Sequence, residues 1–286
     1  MTYSIVGRDE SSGELGVAVQ SRAFGVGMCA WARPGVGAVA TQSFTEHGYG
    51  PRGLDLLEAG RSPADALREL TEADEQREYR QVAFLAADGR TAAYTGAACV
   101  PDCGHTNRPD VSAQGNMLAS PAVWHAAADT FTATGGPLAE RLLAALDAAE
   151  DAGGDFRGRE SAALVVVSGD PEQEPWERVF DLRVDNHADP LHELRRLHGI
   201  AATYRRRRDF DERTSIEEEV DLARAAGLPE DQVALTAAIV AVAQGDLDEA
   251  AARLRPSAES DPRWREACER YVRFGLMPAG VLDRLS

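Results

Sequence analysis

A threonine in second place, followed at once by an alternating strand pattern, is the feature of this chain best suited to chemistry: Met1-Thr2-Tyr3-Ser4-Ile5-Val6-Gly7-Arg8-Asp9. Threonine is small enough that removal of the initiator methionine is expected, which would leave a hydroxyl and a free α-amine on one residue. Such a residue is a nucleophile with its own base. The α-amine titrates at about 7.7 to 8.0 in model peptides, and its neutral form can take the hydroxyl proton. Many chains also begin Met-Thr merely to start a strand, so the surroundings of Thr2 must decide.

A site that cleaves an amide through this hydroxyl needs a donor aimed at the tetrahedral oxyanion. Asn116, in Gln114-Gly115-Asn116-Met117, is the first choice; the competing reading is a polar residue that satisfies a strand end beside Gly115. Gln42 and Ser43 follow the small-residue run Gly35 to Ala40, which admits a close ligand or, equally, a tight contact between sheets. Thr45-Glu46-His47-Gly48-Tyr49-Gly50-Pro51-Arg52 reads as a polar loop entering a helix. Glu46, His47 and Arg52 suit a substrate-binding rim, with Arg52 able to hold a carboxylate or phosphate in bidentate fashion; a solvated helix cap is the alternative.

Other groupings lead nowhere. His105, His125 and His187 have no triad partner that spacing identifies. Cys99, Cys103 and His105 bring soft ligands together, but structural zinc takes four ligands and a fourth is not evident, so no metal is expected. Pro101, Gly104 and Pro109 mark that segment as a plain loop. Gly25-x-Gly27 lacks the strand-turn-helix order of a dinucleotide site. A chain without Lys has no Gly-Lys-Ser/Thr phosphate loop, and no cofactor is expected.

The 286 residues suffice for one large domain or two smaller ones. All 30 basic residues are Arg, against 47 Asp and Glu, for a formal net charge of -17. Such a surface repels phosphate backbones, which disfavours nucleic acid and anionic membranes as partners. No stretch approaches the roughly 20 apolar residues of a membrane span, and no basic region precedes an apolar run at the N-terminus. A cytoplasmic location is expected. Four scattered cysteines are too few for a disulfide scaffold.

The elements that must position Thr2 read as hairpins alternating with helix pairs. Thr2 to Asp9 and Glu14 to Ser21 are strands joined by Glu10-Ser11-Ser12-Gly13, and Gly37 to Ser43 follows the Pro34-Gly35 turn. Helices run from Pro51 to Ala59 and from Pro63 onward, the second capped by Ser62. Gln81 to Ala87 and Arg90 to Thr95 flank the tight turn Asp88-Gly89. Val111 to Leu118 is a further strand, followed by helices Pro121 to Thr134 and Pro137 to Ala152, then strands Ser161 to Ser168 and Val179 to Val184. Local connections predict largely antiparallel sheets with helices on their outer faces. Beyond Asp189 the chain is helical and charge-rich. Gly245-Asp246-Leu247-Asp248-Glu249-Ala250 resembles part of a tetratricopeptide-like unit, and Arg205 to Arg208 reads as a solvated linker in preference to an anion site.

Taken in order, Thr2 to Val6, Gly13 to Val19, Gly35 to Gln42, Tyr49 to Gly53, Gln114 to Leu118 and Asp181 to Asp185 resemble the bacterial and archaeal family called domain of unknown function 1028. The resemblance spans roughly Thr2 to Leu197. It implies a four-layer αββα sandwich like that of N-terminal nucleophile hydrolases, and no particular substrate. In that fold the first strand leads directly from the nucleophile, as it does after Thr2. Val19-Gln20-Ser21-Arg22 is similar to the Asp-Ser-Arg strand end of proteasome β-subunits, which implies a place for Ser21 in the catalytic group and leaves Gln20 where that pattern has Asp. Arg33 would stand for the pattern's Lys. An arginine stays protonated, so it depresses the amine pKa by repulsion and accepts no proton. The tail resembles a segment of some members described as peptidoglycan-binding, and sandwiches of this kind often pair, so a homodimer or higher homo-oligomer is expected.

The combined expectation is an α+β protein, with an αββα domain over residues 1–205 and an all-α module over residues 206–286. Thr2, Asn116, Arg33 and Ser21 would act on a small amide or peptide-like substrate held by Gln42, Ser43, Glu46, His47 and Arg52. The rival is a non-catalytic binding or adaptor protein on the same scaffold, acting through its helical module. A cell-wall role for the tail is a third reading, against which its acidity counts.

Overall fold

The first two strands form the expected hairpin, β1 (Thr2–Arg8) with β2 (Leu15–Ser21), in register from Thr2↔Ser21 to Arg8↔Leu15. The structure, a computed structural model, describes residues 2–285; Met1, whose removal is expected, lies outside the described residues. Asp9 builds the turn by accepting the N–H groups of Ser11 and Ser12 on Oδ1 at 2.8 and 3.0 Å. Gly13 closes it at φ 74°, a left-handed conformation that costs glycine no Cβ clash.

Two compact units divide the chain, Met1–Arg195 and Arg196–Ser286. In the first, β7 (Gly104–Arg108), β8 (Val111–Asn116), β9 (Ser161–Val167) and β10 (Phe180–Val184) extend the hairpin into a sheet of order β10-β9-β2-β1-β8-β7. A second sheet of order β3-β4-β5-β6 contains β3 (Ala30–Arg33), β4 (Gly37–Ser43), β5 (Arg80–Ala86) and β6 (Thr91–Thr95). Every pairing between these strands is antiparallel. The sequence pattern missed β3 and β7. Both are edge strands, and β7 occupies the segment read as a plain loop. The other edge strands were legible; β3 is only four residues long and β7, Gly-His-Thr-Asn-Arg, is polar, so neither carries a readable apolar alternation.

Helices α1 (Tyr49–Glu58) and α2 (Pro63–Glu72) pack on the four-stranded sheet, and α3 (Ala122–Ala133) and α4 (Leu138–Asp151) pack on the six-stranded one. Ser62 caps α2 by accepting the Asp65 N–H at 3.1 Å, with Pro63 in the first turn. The outer face of the β1/β2 hairpin is shaped for its helices. Gly7 and Gly16 sit opposite each other, and an added Cβ would fall 2.6 Å from the Phe131 ring or 2.7 Å from Leu142 Cδ1. Much of the layer between the sheets is apolar: Val6, Val17, Val19, Ala38, Ala83, Leu85 and Val165 belong to one buried cluster.

The division between the units falls within α5 (Pro190–Arg206). The second unit continues with α6 (Ile216–Ala225), α7 (Glu230–Ala243), α8 (Leu247–Ser260), α9 (Pro262–Arg273) and α10 (Ala279–Arg284). Asp246 and Asp261 cap α8 and α9, while Leu235, Leu254, Cys268 and Val281 share a core. Helix α8 runs through Pro256. The arginine run is no solvated linker. Arg206 pairs with Glu219, and Arg207 lies over the Tyr204 ring at 4.3 Å and donates to Gln232 O and Thr236 Oγ1. Among the described residues, no helix is long and apolar enough to cross a membrane.

Candidate active site

Thr2 heads an inner strand of the six-stranded sheet, between Ser21 of β2 and Asn116 of β8. Directly opposed residues of an antiparallel pair point to one face. The Thr2 hydroxyl donates to Ser21 Oγ at 3.1 Å, and the same oxygen accepts the Ala23 N–H at 3.1 Å. Thr2 keeps only 4 % of its surface exposed. Its carbonyl accepts from Gln42 Nε2 at 3.1 Å, a bond that crosses from one sheet to the other.

That bond belongs to a buried network of amides. Gln81 Nε2 faces two backbone carbonyls, Gly104 O at 3.1 Å and Gly115 O at 2.8 Å, which identifies this atom as the nitrogen. Its Oε1 is therefore the acceptor, so Gln42 and Asn116 must present nitrogens to it, at 2.7 and 2.9 Å. Gln42 Oε1 is left to accept the Ser4 hydroxyl at 2.7 Å. Gln114 joins through Ser4 Oγ and Ala40 O. Ser4, Gln42, Gln81, Gln114 and Asn116 are all buried. An unsatisfied buried polar group costs about 1–3 kcal/mol, so the network holds its members, and the Thr2 main chain with them, in one arrangement. One Asn116 N–H is committed to Gln81, while its Oδ1 is buried without a partner among the described residues.

The network continues to a histidine. Thr95 Oγ1 lies 3.0 Å from Gln81 Nε2, which shares its two N–H groups among three acceptors, and 2.9 Å from His105 Nδ1, where a neutral imidazole serves as donor or acceptor according to its tautomer. Burial pushes the His105 pKa below its ordinary value, which favours the neutral form. Cys99 and Cys103 donate to the carbonyls of Arg80 and Cys99. Among the described residues, no group of three His, Cys, Asp or Glu could hold a metal ion.

Two non-glycine residues beside the network adopt left-handed backbone, Ser43 at φ 73° and Met117 at φ 51°. Each directly follows a network amide, Gln42 or Asn116, at the end of its strand. Strain of this kind costs about 1–3 kcal/mol and gathers at functional sites.

Arg33, Glu46, His47 and Arg52 make their bonds with groups other than Thr2. Arg33 pairs with Gly37, at the far end of β4 from Gln42, and rises of about 3.3 Å per residue put most of that strand between them. Its guanidinium holds Asp55 and Glu58 of α1 at 2.8 and 2.6 Å, so it does not serve as the basic neighbour of the amine. Glu46, His47 and Arg52 form a local cluster: Glu46 Oε1 accepts from Gly48 N and Arg52 Nη2, both at 2.9 Å, and His47 Nδ1 lies 3.2 Å from Met28 O. Gln20 pairs with Tyr3, whose hydroxyl donates to Glu150 of α4, so Gln20 faces the helices and turns away from Thr2. Both of its amide atoms are buried without a partner. Gln81, the hub, was missed in the sequence. A glutamine sharing the strand parity of Ala83 and Leu85 was the available signal.

The fold and site define a class: an α+β protein with two facing antiparallel sheets and a hydroxyl residue at the head of an inner strand, bound to an inter-sheet amide network. The model of the family of unknown function DUF1028 matches residues 2–194, and the chain belongs to that family. The crystal structure of protein SPO2555 from Silicibacter pomeroyi, described with the same family, is similar, with 33% sequence identity and a TM-score of 0.64. That similarity covers 70% of this chain and 89% of the other. The comparison with curated proteins gave no match. All the network residues fall inside the matched stretch.

Proposed function

We propose that the first unit is a four-layer αββα sandwich of the N-terminal nucleophile type and that the protein is an amidohydrolase acting through Thr2 on a small amide or peptide-like substrate. The observation that carries this reading is the double anchoring of Thr2, by its hydroxyl to Ser21 and by its carbonyl to Gln42. A residue that merely opened a strand would not need its main chain held across the sheets by a buried amide.

With Met1 removed, the neutral α-amine takes the hydroxyl proton as Oγ1 adds to the substrate carbonyl carbon. Ser21 orients the hydroxyl. The oxyanion is met by the second Asn116 N–H and a backbone donor. Collapse breaks the C–N bond, and the leaving amine departs with the proton held by the α-ammonium. Water, deprotonated by the same amine, then attacks the acyl ester, releasing a carboxylic acid and restoring Thr2. The amine is the sole base in this scheme, since Arg33 is committed to α1.

Intact-mass analysis tests this first: the purified protein is expected to lack Met1. Thr2→Ala is then expected to abolish acylation by an electrophilic acyl probe, while Thr2→Ser retains it. Retention of Met1 in a protein that turns over acyl substrates contradicts the mechanism. The helical unit is proposed as an interaction module, and deleting it is expected to leave acylation at Thr2 intact.

A further inference from the structure

Several of the large apolar side chains that remain exposed in the first unit adjoin the strand ends next to Thr2, while Trp176, 75% exposed, lies apart from them between β9 and β10. Phe24, Phe44 and Phe156 are 70%, 62% and 76% exposed. Each is tied to a different neighbour of Thr2. Phe24 lies three residues beyond Ser21, in a segment fastened where Ser161 Oγ accepts the Val26 N–H at 3.1 Å. Phe44 lies two residues beyond Gln42, with its backbone held by Tyr79 O and by Arg80 Nη1, and its ring meets Tyr79 edge-on at 5.6 Å. Phe156 donates its N–H to the carbonyl of Met117, the residue after Asn116. Three exposed phenylalanines therefore follow, in the chain or through a backbone hydrogen bond, the strand ends that carry Ser21, Gln42 and Asn116, the residues bonded to or paired with Thr2. Single exposed hydrophobic residues are ordinary, but three so grouped mark a binding surface.

The charges around this group are already matched. Arg22 pairs with Glu160, Arg157 with Asp155, Arg159 with Glu150 and Asp189, Arg80 with Asp74, and Arg52 with Glu46. An anionic substrate would have to displace one of these carboxylates. An uncharged hydrocarbon group gains in proportion to the phenyl surface it removes from water.

We infer that the acyl group delivered to Thr2 is neutral and apolar, an alkyl or aryl chain gripped by Phe24, Phe44 and Phe156. This rests on the nucleophile reading given above and adds the substrate class to it.

The test uses the full chain with p-nitrophenyl acetate, hexanoate and hemisuccinate. Wild type is expected to favour hexanoate over acetate at least tenfold in kcat/KM and to disfavour hemisuccinate. The triple variant Phe24→Ser, Phe44→Ser, Phe156→Ser is expected to bring the hexanoate-to-acetate ratio below threefold, whatever its absolute rates. Equal use of the three esters, a preference for hemisuccinate, or an unchanged ratio in the triple variant overturns the inference. Binding of the neutral dye N-phenyl-1-naphthylamine separates this failure from that of the nucleophile reading. If no ester reacts at Thr2, that reading has failed; dye binding lost in the triple variant then upholds the apolar site, and no binding overturns it. A wild-type dimer that the triple variant dissolves in sedimentation would assign the phenylalanines to a second copy of this chain and also overturn the inference.

Discussion

The layer between the two sheets is built in two ways. Over most of its extent it is hydrocarbon, with Val17, Val19 and Val165 of one sheet facing Ala38, Ala83 and Leu85 of the other. In the corner nearest Thr2, β1, β4, β5 and β8 present Ser4, Gln42, Gln81, Gln114 and Asn116, equally buried and joined by directed bonds. The apolar part needs only shape and volume, and it tolerates swaps that conserve them. The polar part adds less net stability and fixes orientation, because most of its amide atoms have a directed partner; among the described residues only Asn116 Oδ1 and Gln114 Oε1 in this corner lack one. A fold that needed only to be stable would continue the hydrocarbon to the end of the strands. The change of material at Thr2 is the feature on which the proposed nucleophile rests.

Breaking the hub should have the largest effect. Gln81→Leu keeps the bulk of the side chain but leaves two backbone carbonyls, Gln42 and Asn116 without their partner. It is expected to destabilise the protein by about 3–5 kcal/mol and to slow acylation of Thr2 more than tenfold at temperatures where the variant stays folded. In the apolar part, Leu85→Ala is expected to cost about 2–4 kcal/mol while leaving the acylation rate of the folded protein within twofold. Chemical denaturation and probe kinetics on the two variants check the contrast; equal losses of acylation would erase it.

Smaller effects sharpen the boundaries of the polar corner. Gln20→Leu removes two unpartnered buried atoms on the helix-facing side of β2 and is expected to raise stability by about 1 kcal/mol, without change at Thr2. The smallest effect concerns His105. Burial holds its folded pKa below 6.5, so between these values the unfolded chain binds more protons than the folded one. The stability it contributes is present above about pH 6.5 and is lost as the pH falls through the folded pKa. Unfolding followed from pH 7.5 to 5 is expected to lose that component of its slope in His105→Gln.

Much of this was legible in the sequence, for identifiable reasons. The β1/β2 hairpin, the Ser62 cap with Pro63, and the helices after Pro121 and Pro137 follow from alternation and local capping, which act within a few residues. The pairing of Thr2 with both Ser21 and Asn116 is consistent with the residues chosen for chemistry, and Gln42 does reach Thr2 from the other sheet. Arg33 went astray because a position in a motif says nothing about which end of a strand it occupies; register decides that, and it gave the guanidinium to Asp55 and Glu58. Gln81 and Ser4 were passed over because their partners lie on other strands, and no local pattern records a contact between sheets. Strands β3 and β7 escaped notice because the first is only four residues long and the second carries no apolar alternation.

The central claim is that the polar corner exists to present Thr2 as an amino-terminal nucleophile. The most direct measurement is peptide mapping by mass spectrometry after reaction with an acylating electrophile such as a β-lactone. A single adduct on a peptide that begins at Thr2, with the acyl group on its side-chain oxygen, is the predicted result. An adduct elsewhere on a protein whose Thr2 is still preceded by Met1 would contradict the account.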